Sequence, residues 1–444
     1  MNPVPAFLSR AARAGDKPAF IETDGTLSYG DWLDRVAALA PRILEARIAP
    51  GTPVLLHGNF NAASAAWLMA LWQAGAVVAP VIPGDAERSA GCAEALRAAW
   101  IIDAAQDSMM PGPGGPTHAL IDRLREAQQP GLVIFTSGTT GVPKAALHDL
   151  GRLFAKFEVP GKDLTTLAFL LFDHIAGIDT LLYCLANGST IVCPDDRSPA
   201  AIAAQIAAHR VEVLPTAPSF LNLMMLAGAA DTHDLSSLKI ITYGAEMMPQ
   251  PLLERLAETF PDLRIIQKYG TSEAGAPKAR SESSTSRWLN FGVEEVDWRL
   301  RAGLLELPGT RAMLGYLNAA QPFSEDGWYM TGDRVERRGD HLRIIGRDSD
   351  VINVGGEKVF PAEIEAAIAR VEGVAEVAVS GRPHPLMGTV VQAKIRAVDP
   401  AISGPELRAQ VRAELSGRLE PYKIPQKIEL TNETLVTTRF KQKR

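Results

Sequence analysis

Apolar and polar positions along the first 130 residues alternate between two periods. Pro53-Val-Leu-Leu-His57 and Ala76-Val-Val-Ala-Pro-Val-Ile82 are short, continuous apolar runs, and they predict buried strands. Between them, 62–72 is apolar on all sides, as a helix inside a core is. Upstream, Thr26-Leu-Ser-Tyr-Gly30 precedes a helical pattern over 32–48. Strands alternating with helices predict an α/β layer architecture with a largely parallel sheet. The stretch Met110-Pro-Gly-Pro-Gly-Gly-Pro116 predicts a surface loop within that pattern, which resumes beyond it.

The pattern changes near Gly346-Arg-Asp-Ser-Asp350. A helix predicted over 361–371 carries Ile364, Ala367, Ile368 and Val371 on one face. Strands over 374–379 and 390–396 follow. A second helix starts at Pro405, a residue suited to a first turn, with Leu407, Val411 and Leu415 at helical spacing. The expectation is a large, multi-subdomain α/β domain over 1–346 and a small α+β domain over 347–444.

Composition narrows the class. A chain of 444 residues exceeds one ordinary core. Its 46% hydrophobic and 22% charged residues are those of a globular protein, and a net charge of −6 leaves no footprint for nucleic acid. Cys92, Cys184 and Cys193 are far apart and read as buried, reduced thiols. No segment has the charge and apolar pattern of a signal peptide or the roughly 20 apolar residues of a membrane helix. A cytoplasmic protein without a membrane span is expected.

The sharpest chemical signal is Thr136-Ser137-Gly138-Thr139-Thr140-Gly141-Val142-Pro143-Lys144, between an apolar strand over 132–135 and a helix predicted from about Ala145. Two glycines let backbone N–H groups approach a ligand, four hydroxyls add donors, and Lys144 supplies a cation. These are the requirements of a polyphosphate. Pro143 stands just before the lysine, so this is not a Walker A loop. The plain alternative is a Gly/Thr turn joining two elements.

With further motifs in order, the chain resembles the adenylate-forming (AMP-binding) superfamily of acyl-CoA synthetases, peptide-synthetase adenylation domains and luciferases. The loop is similar to that family's phosphate-binding signature. Tyr243-Gly244-Ala245-Glu246 resembles the segment along the adenine, Tyr269-Gly270-Thr271-Ser272-Glu273 the second nucleotide motif, and Tyr329-Met-Thr-Gly-Asp333 the ribose motif. Gly346-Arg347 with Gly355-Gly-Glu-Lys-Val359 resembles the hinge and start of a mobile domain, and Thr437-Thr-Arg-Phe-Lys441 the catalytic-lysine tail. Lys17-Pro-Ala-Phe20 and Gly75-Ala-Val-Val-Ala-Pro80 resemble its N-terminal landmarks, so the likeness spans the chain.

The resemblance implies ATP and Mg²⁺ as cofactors, with coenzyme A or a phosphopantetheine as acceptor. It implies that Thr271 contacts the α-phosphate, Glu273 holds Mg²⁺, Tyr269 stacks on adenine and Asp333 accepts from the ribose hydroxyls. Arg347 adds a donor to ribose or phosphate, and Lys441 bridges the carboxylate and α-phosphate. The chemistry asks for such groups. A carboxylic acid, which ordinarily titrates at about pH 4, is already ionised at neutral pH and needs no general base to attack phosphorus. The difficulty is charge on the α-phosphoryl oxygens and the departing pyrophosphate. Taken singly, Glu273 and Asp333 read as solvated carboxylates, Tyr269 as core and Lys441 as part of a basic tail.

The chain departs from the pattern in three places. Phe440 stands where the tail has glycine, Ser349 where the hinge has Asp or Lys, and the span from Glu273 to Asp333 is short, which implies a reduced distal subdomain.

For the acid, Leu170-Leu-Phe-Asp173-His174-Ile-Ala-Gly177-Ile178 takes the place of the segment bordering the acyl pocket, His174 being counted among the catalytic candidates. Thr216, Tyr243 and Gly244 complete a mostly apolar wall. Asp173 reads either as the carboxylate that holds an amino-acid ammonium or, preferred because His174-Ile-Ala-Gly177 resembles the acyl-CoA synthetases, as a local cap. The leading function is an AMP-forming acid–thiol ligase, with an acyl or peptidyl carrier protein as a possible partner. The alternatives are an amino-acid adenylation enzyme, a ligase to a non-thiol nucleophile, and a non-catalytic nucleotide- or acyl-binding relative.

Overall fold

The computed structural model describes residues 2–136, 143–277, 279–291, 297–385, 387–399 and 401–437. Two seven-stranded sheets form the body of the large domain. The first runs Arg264–Gln267, Ile240–Tyr243, Val213–Thr216, Thr166–Leu167, Ile191–Val192, Pro18–Glu22, Gly25–Ser28, and every neighbouring pair is parallel except the terminal hairpin. The second runs Gly315–Tyr316, Lys144–Asp149, Gly131–Thr136, Val77–Val81, Pro53–His57, Trp100–Asp103, Ser108–Pro111, parallel at its centre and antiparallel at both edges. One core serves both sheets. It contains Phe20 and Ile191 from the first, Val54 and Ile134 from the second, and Trp67 and Trp72 from the helix Ala62–Gln73, which is buried along most of its length. That is the environment an all-apolar helix requires.

The helix predicted over 32–48 is two helices, Tyr29–Ala38 and Ala40–Glu45. Pro41, with no N–H to return to the preceding turn, opens the second. The larger correction concerns the segment after the Gly/Thr loop. Lys144–Asp149 is a strand, antiparallel to Gly131–Thr136 with Thr136 opposite Lys144. Ala145, Ala146 and Leu147 are buried between two neighbouring strands, and that burial overrides helix propensity. The helix comes later, at Leu150–Ala155, where Asp149 caps it by accepting from Gly151 N.

The short span after Glu273 still builds a subdomain. Arg280–Ser281, Leu289–Asn290, His341–Arg347, Trp328–Arg338, Leu304–Pro308 and Arg299–Arg301 form an antiparallel six-stranded sheet whose core includes Phe291, Leu305, Tyr329 and Leu342.

The small domain has its own core. Helices Pro361–Ile368 and Gly404–Ser416 pack on the sheet Val374–His384, Gly388–Ala397, Lys427–Leu430 through Ile364, Ile368, Val379, Val391, Leu407 and Leu415. Cys92, Cys184 and Cys193 are buried, and none is in a disulfide. Among the described residues no helix is long and apolar enough to cross a membrane.

Candidate active site

Thr136 and Lys144 are the last pair of the antiparallel hairpin, and the Gly/Thr motif lies between them in sequence. Ser137, Gly138, Thr139, Thr140 and Gly141 lie outside the described residues, as do Phe440 and Lys441. Asn318 grips the chain on both sides of Lys144. Its Oδ1 accepts from Ala145 N at 2.9 Å and its Nδ2 donates to the Pro143 carbonyl at 2.8 Å. The Lys144 ammonium stands 5.6 Å from the centre of the Tyr316 ring.

Tyr316 also reaches the second motif. Its hydroxyl donates to Glu273 Oε1 at 2.6 Å, and the Tyr329 hydroxyl approaches Glu273 Oε2 at 3.3 Å and Thr271 Oγ1 at 3.2 Å. The turn itself is tight. Thr271 N donates to Gly275 O at 3.2 Å, and Thr271 Oγ1 accepts from Ala274 N at 2.9 Å. From below, His148 Nε2 meets the Ser272 carbonyl at 2.6 Å. A carbonyl only accepts, so Nε2 carries the proton. Burial holds the His148 imidazole down at about 4, with Ser272 and Glu273 partly opposing, so it is neutral at pH 7. Tyr316 thus links Lys144 to Glu273, and Tyr329 links Glu273 to Thr271.

Asp333 and Arg347 face each other across paired strands, with Arg347 Nε 3.2 Å from Asp333 Oδ1. The Tyr269 hydroxyl donates to the other oxygen at 2.6 Å. Burial raises the Asp333 carboxyl above the usual carboxylate range, while Arg347 and Tyr269 hold it back. Burial works to lower the Arg347 guanidinium, but Asp333, Glu273, Tyr329 and Tyr269 together outweigh it and the net shift is upward. The Tyr269 ring sits edge-on to Phe291, 5.3 Å between centres.

A cavity of about 380 Å³ lies between the large and small domains. Ala245, Glu246, Tyr269, Gly270, Thr271, Asp333 and Arg347 border it on one side, and Phe360, Pro361, Leu435 and Val436 on the other. Ala245 holds a left-handed φ of 67°, a strained conformation for a side chain with a Cβ. Glu246 accepts from Ser219 N at 3.2 Å.

The expected acid-pocket residues do not line this cavity. Thr216 and Tyr243 are register partners in the parallel sheet, and Gly244 N donates back to Thr216 O at 3.3 Å. A Cβ on Gly244 would lie 2.9 Å from the Lys268 carbonyl, and one on Gly177 would lie 2.0 Å from that of Leu171, so both positions need glycine. His174 stands at the N-cap position of the helix Ile175–Asn187.

Asp173, expected to cap a turn or hydrogen-bond locally, has a long-range partner as well as its neighbour His174, whose Nε2 lies 3.9 Å from Oδ1. Asp173 is 1% exposed and pairs at 3.1 Å with Arg88, eighty-five positions away on the helix Ala86–Leu96. A buried carboxylate needs a cation more than a turn needs a cap, and the fold brings one to it. Arg197 feels it too: burial lowers that guanidinium to about 10, and Asp173 opposes the shift. Sequence reasoning missed Arg88, Tyr316 and Asn318. Gly315-Tyr-Leu-Asn318, a turn glycine followed by an aromatic and an amide just ahead of the ribose motif, was the available signal for the last two.

Among the described residues no three His, Cys, Asp or Glu side chains converge as a metal cage. Mg²⁺ does not require one, since it keeps several waters and takes one or two carboxylates plus phosphate oxygens. Glu273, whose oxygens retain lone pairs beyond the two tyrosine contacts, fits that donor set.

Known proteins match this chain along most of its length. A family model described as AMP-binding enzyme matches residues 7–293, and one described as AMP-binding enzyme C-terminal domain matches 363–441. The chain is 27% identical to a feruloyl-CoA synthase of Amycolatopsis sp, over 96% of this chain and 95% of the relative. Its fold is similar to the amide bond synthetase McbA from Marinactinospora thermotolerans (TM-score 0.81, 22% identity, 99% and 98% of the two chains). It is also similar to the anthranilate CoA ligase AuaEII in complex with anthranoyl-AMP (TM-score 0.84, 18% identity, 100% and 96%). With a family model matching well over half of its length and two nucleotide motifs folded onto one cavity, the chain belongs to the AMP-binding enzyme family of adenylate-forming ligases.

Proposed function

We propose that this protein is an acid–thiol ligase that forms an acyl-adenylate from ATP and a carboxylic acid and passes the acyl group to coenzyme A. The observation that carries the reading is that Tyr316 spans Lys144 and Glu273 and Tyr329 spans Glu273 and Thr271, while Thr271, Asp333 and Arg347 border the interdomain cavity. The full-length likeness to a feruloyl-CoA synthase supports the thiol acceptor.

In this reading the acid's carboxylate attacks the α-phosphorus and pyrophosphate departs. The hairpin loop Thr136–Lys144 cradles the phosphates, Lys144 and Thr271 meeting the charge that develops on their oxygens. Glu273 holds Mg²⁺, which neutralises polyphosphate charge when bound. Asp333, already fixed by Tyr269 and Arg347, accepts from the ribose hydroxyls, and Gly244, Ala245 and Glu246 border the adenine. Lys441 bridges the attacking carboxylate and the α-phosphate in the first step only. The domains divide at 346/347, and rotation about 346–350 brings Gly355-Gly356 to the site for the second step.

The Asp173–Arg88 pair favours acids without an α-ammonium, because the carboxylate that would bind one already holds a guanidinium. The deciding experiment is ATP–pyrophosphate exchange across a panel of aromatic, aliphatic and amino acids, repeated as product formation with coenzyme A, a pantetheinylated carrier protein and simple amines. Exchange with an acid and thioester formation with coenzyme A are expected. Amide formation in place of thioester would move the protein to a non-thiol ligase, and no exchange with any acid would overturn the enzymatic reading.

A further inference from the structure

The small domain meets the large one at a contact on the border of the interdomain cavity, which Asn222, Arg255 and Ala375 line together with the nucleotide motifs. Asn222, on the helix Pro218–Leu226, donates from Nδ2 to the carbonyl of Ala375 at 2.8 Å. Its Oδ1 accepts from Arg255 Nη2 at 2.9 Å, and Arg255 lies on the adjacent helix Gln250–Thr259. A guanidinium only donates, so Arg255 fixes the oxygen end of the amide and leaves the NH₂ aimed at Ala375.

The next residue, Glu376, is buried in the small domain and ties down its last described segment. Glu376 Oε2 accepts from Leu435 N at 2.5 Å and Thr434 Oγ1 at 3.2 Å, while Oε1 takes Arg396 Nε at 2.9 Å. The large domain therefore grips one residue, and its neighbour anchors the segment that leads, six positions on in sequence, to Lys441. Leu435 and Val436 line the interdomain cavity, whereas Gly355 and Gly356 do not.

We propose that Asn222, oriented by Arg255, is a positioning residue for acyl-adenylate formation. Through Ala375 it docks the small domain in the orientation that turns 434–436, the approach to Lys441, toward the nucleotide cavity. The inference rests on the reading that Lys441 serves the first half-reaction. Losing one hydrogen bond of this kind shifts the docked population by roughly three- to tenfold, so the loss falls on kcat and leaves the KM for ATP near its wild-type value.

The test uses the full chain and the acid that wild type turns over fastest in pyrophosphate exchange. Asn222→Ala and Arg255→Ala are compared in that exchange and in conversion of the pre-made acyl-adenylate of the same acid to its coenzyme A thioester, with Lys441→Ala as reference. A roughly three- to tenfold fall in exchange kcat, with thioester formation within about twofold of wild type, is expected for both variants. Equal loss in both half-reactions, or no loss in either, overturns the inference even where Lys441→Ala abolishes exchange. If Lys441→Ala itself leaves exchange intact, the underlying reading of the lysine falls, and this one with it. Asn222→Gln, which keeps the amide, is expected to recover part of the exchange rate, and a merely structural role would give no such asymmetry between the two steps.

Discussion

Tyr316 donates its phenolic hydroxyl to Glu273 Oε1 at 2.6 Å, so the carboxylate proposed to hold Mg²⁺ is aimed by a residue from the strand beside the phosphate hairpin. The same ring lies against Lys144. One aromatic side chain thus bridges the Lys144 cation and the Glu273 carboxylate.

That relationship gives the first prediction. Glu273→Gln should raise the Mg²⁺ concentration needed for half-maximal pyrophosphate exchange by about tenfold or more and lower kcat, with circular dichroism unchanged. Tyr316→Phe removes only the hydrogen bond and should raise the same midpoint by roughly three- to tenfold, about what one hydrogen bond to a charged group is worth. A magnesium titration of exchange at saturating ATP measures both. Wild-type behaviour of Glu273→Gln at limiting Mg²⁺ would remove Glu273 from the metal site.

The second concerns Asp173. Its partner Arg88 comes from the other seven-stranded sheet's layer, so the pair joins two subdomains, and removing one member leaves a buried charge. Arg88→Met should cost about 3 kcal/mol, within the range for broken buried pairs, in chemical denaturation at pH 7. Asp173→Ala should lower stability while leaving the ratio of rates for an amino acid and its deaminated acid unchanged. A selective loss of amino-acid activation in Asp173→Ala would restore the ammonium-holding role.

The third follows from His148. In the unfolded chain this imidazole takes up a proton below 6.5, whereas burial in the folded protein lowers that to about 4. The unfolded state therefore binds more protons in this window, and folding stability falls as pH drops from 6.5 toward 4. The contribution is about 2 kcal/mol by pH 5. His148→Gln, which keeps a donor near Nε2, should flatten the fall in unfolding free energy between pH 7 and pH 5 by that amount. An unchanged slope would show that His148 is not the group being titrated.

Much of the site was readable because its chemistry is carried by contiguous motifs. Tyr269 through Glu273 and Tyr329 through Asp333 each place their polar side chains within five residues, so spacing along the chain nearly fixes spacing in the site. Strands such as Pro53–His57 and the helix Ala62–Gln73 were equally plain, because burial on every side leaves an apolar run with no polar face. By itself, then, the sequence determined the layer architecture, the presence of a second small domain, and the residue types able to handle a nucleotide.

Only the tertiary structure decided what depends on long-range pairing. Lys144–Asp149 is a strand because Gly131–Thr136 and Gly315–Tyr316 flank it, a fact no local propensity contains. Asp173 is held by a guanidinium eighty-five positions away, and Glu273 by a phenol forty-three away. The dock through Asn222 joins residues 153 apart. In each case a polar group buried on folding must find its partner across the fold, and which partner it finds is settled by how sheets and domains pack, not by the order of residues along the chain.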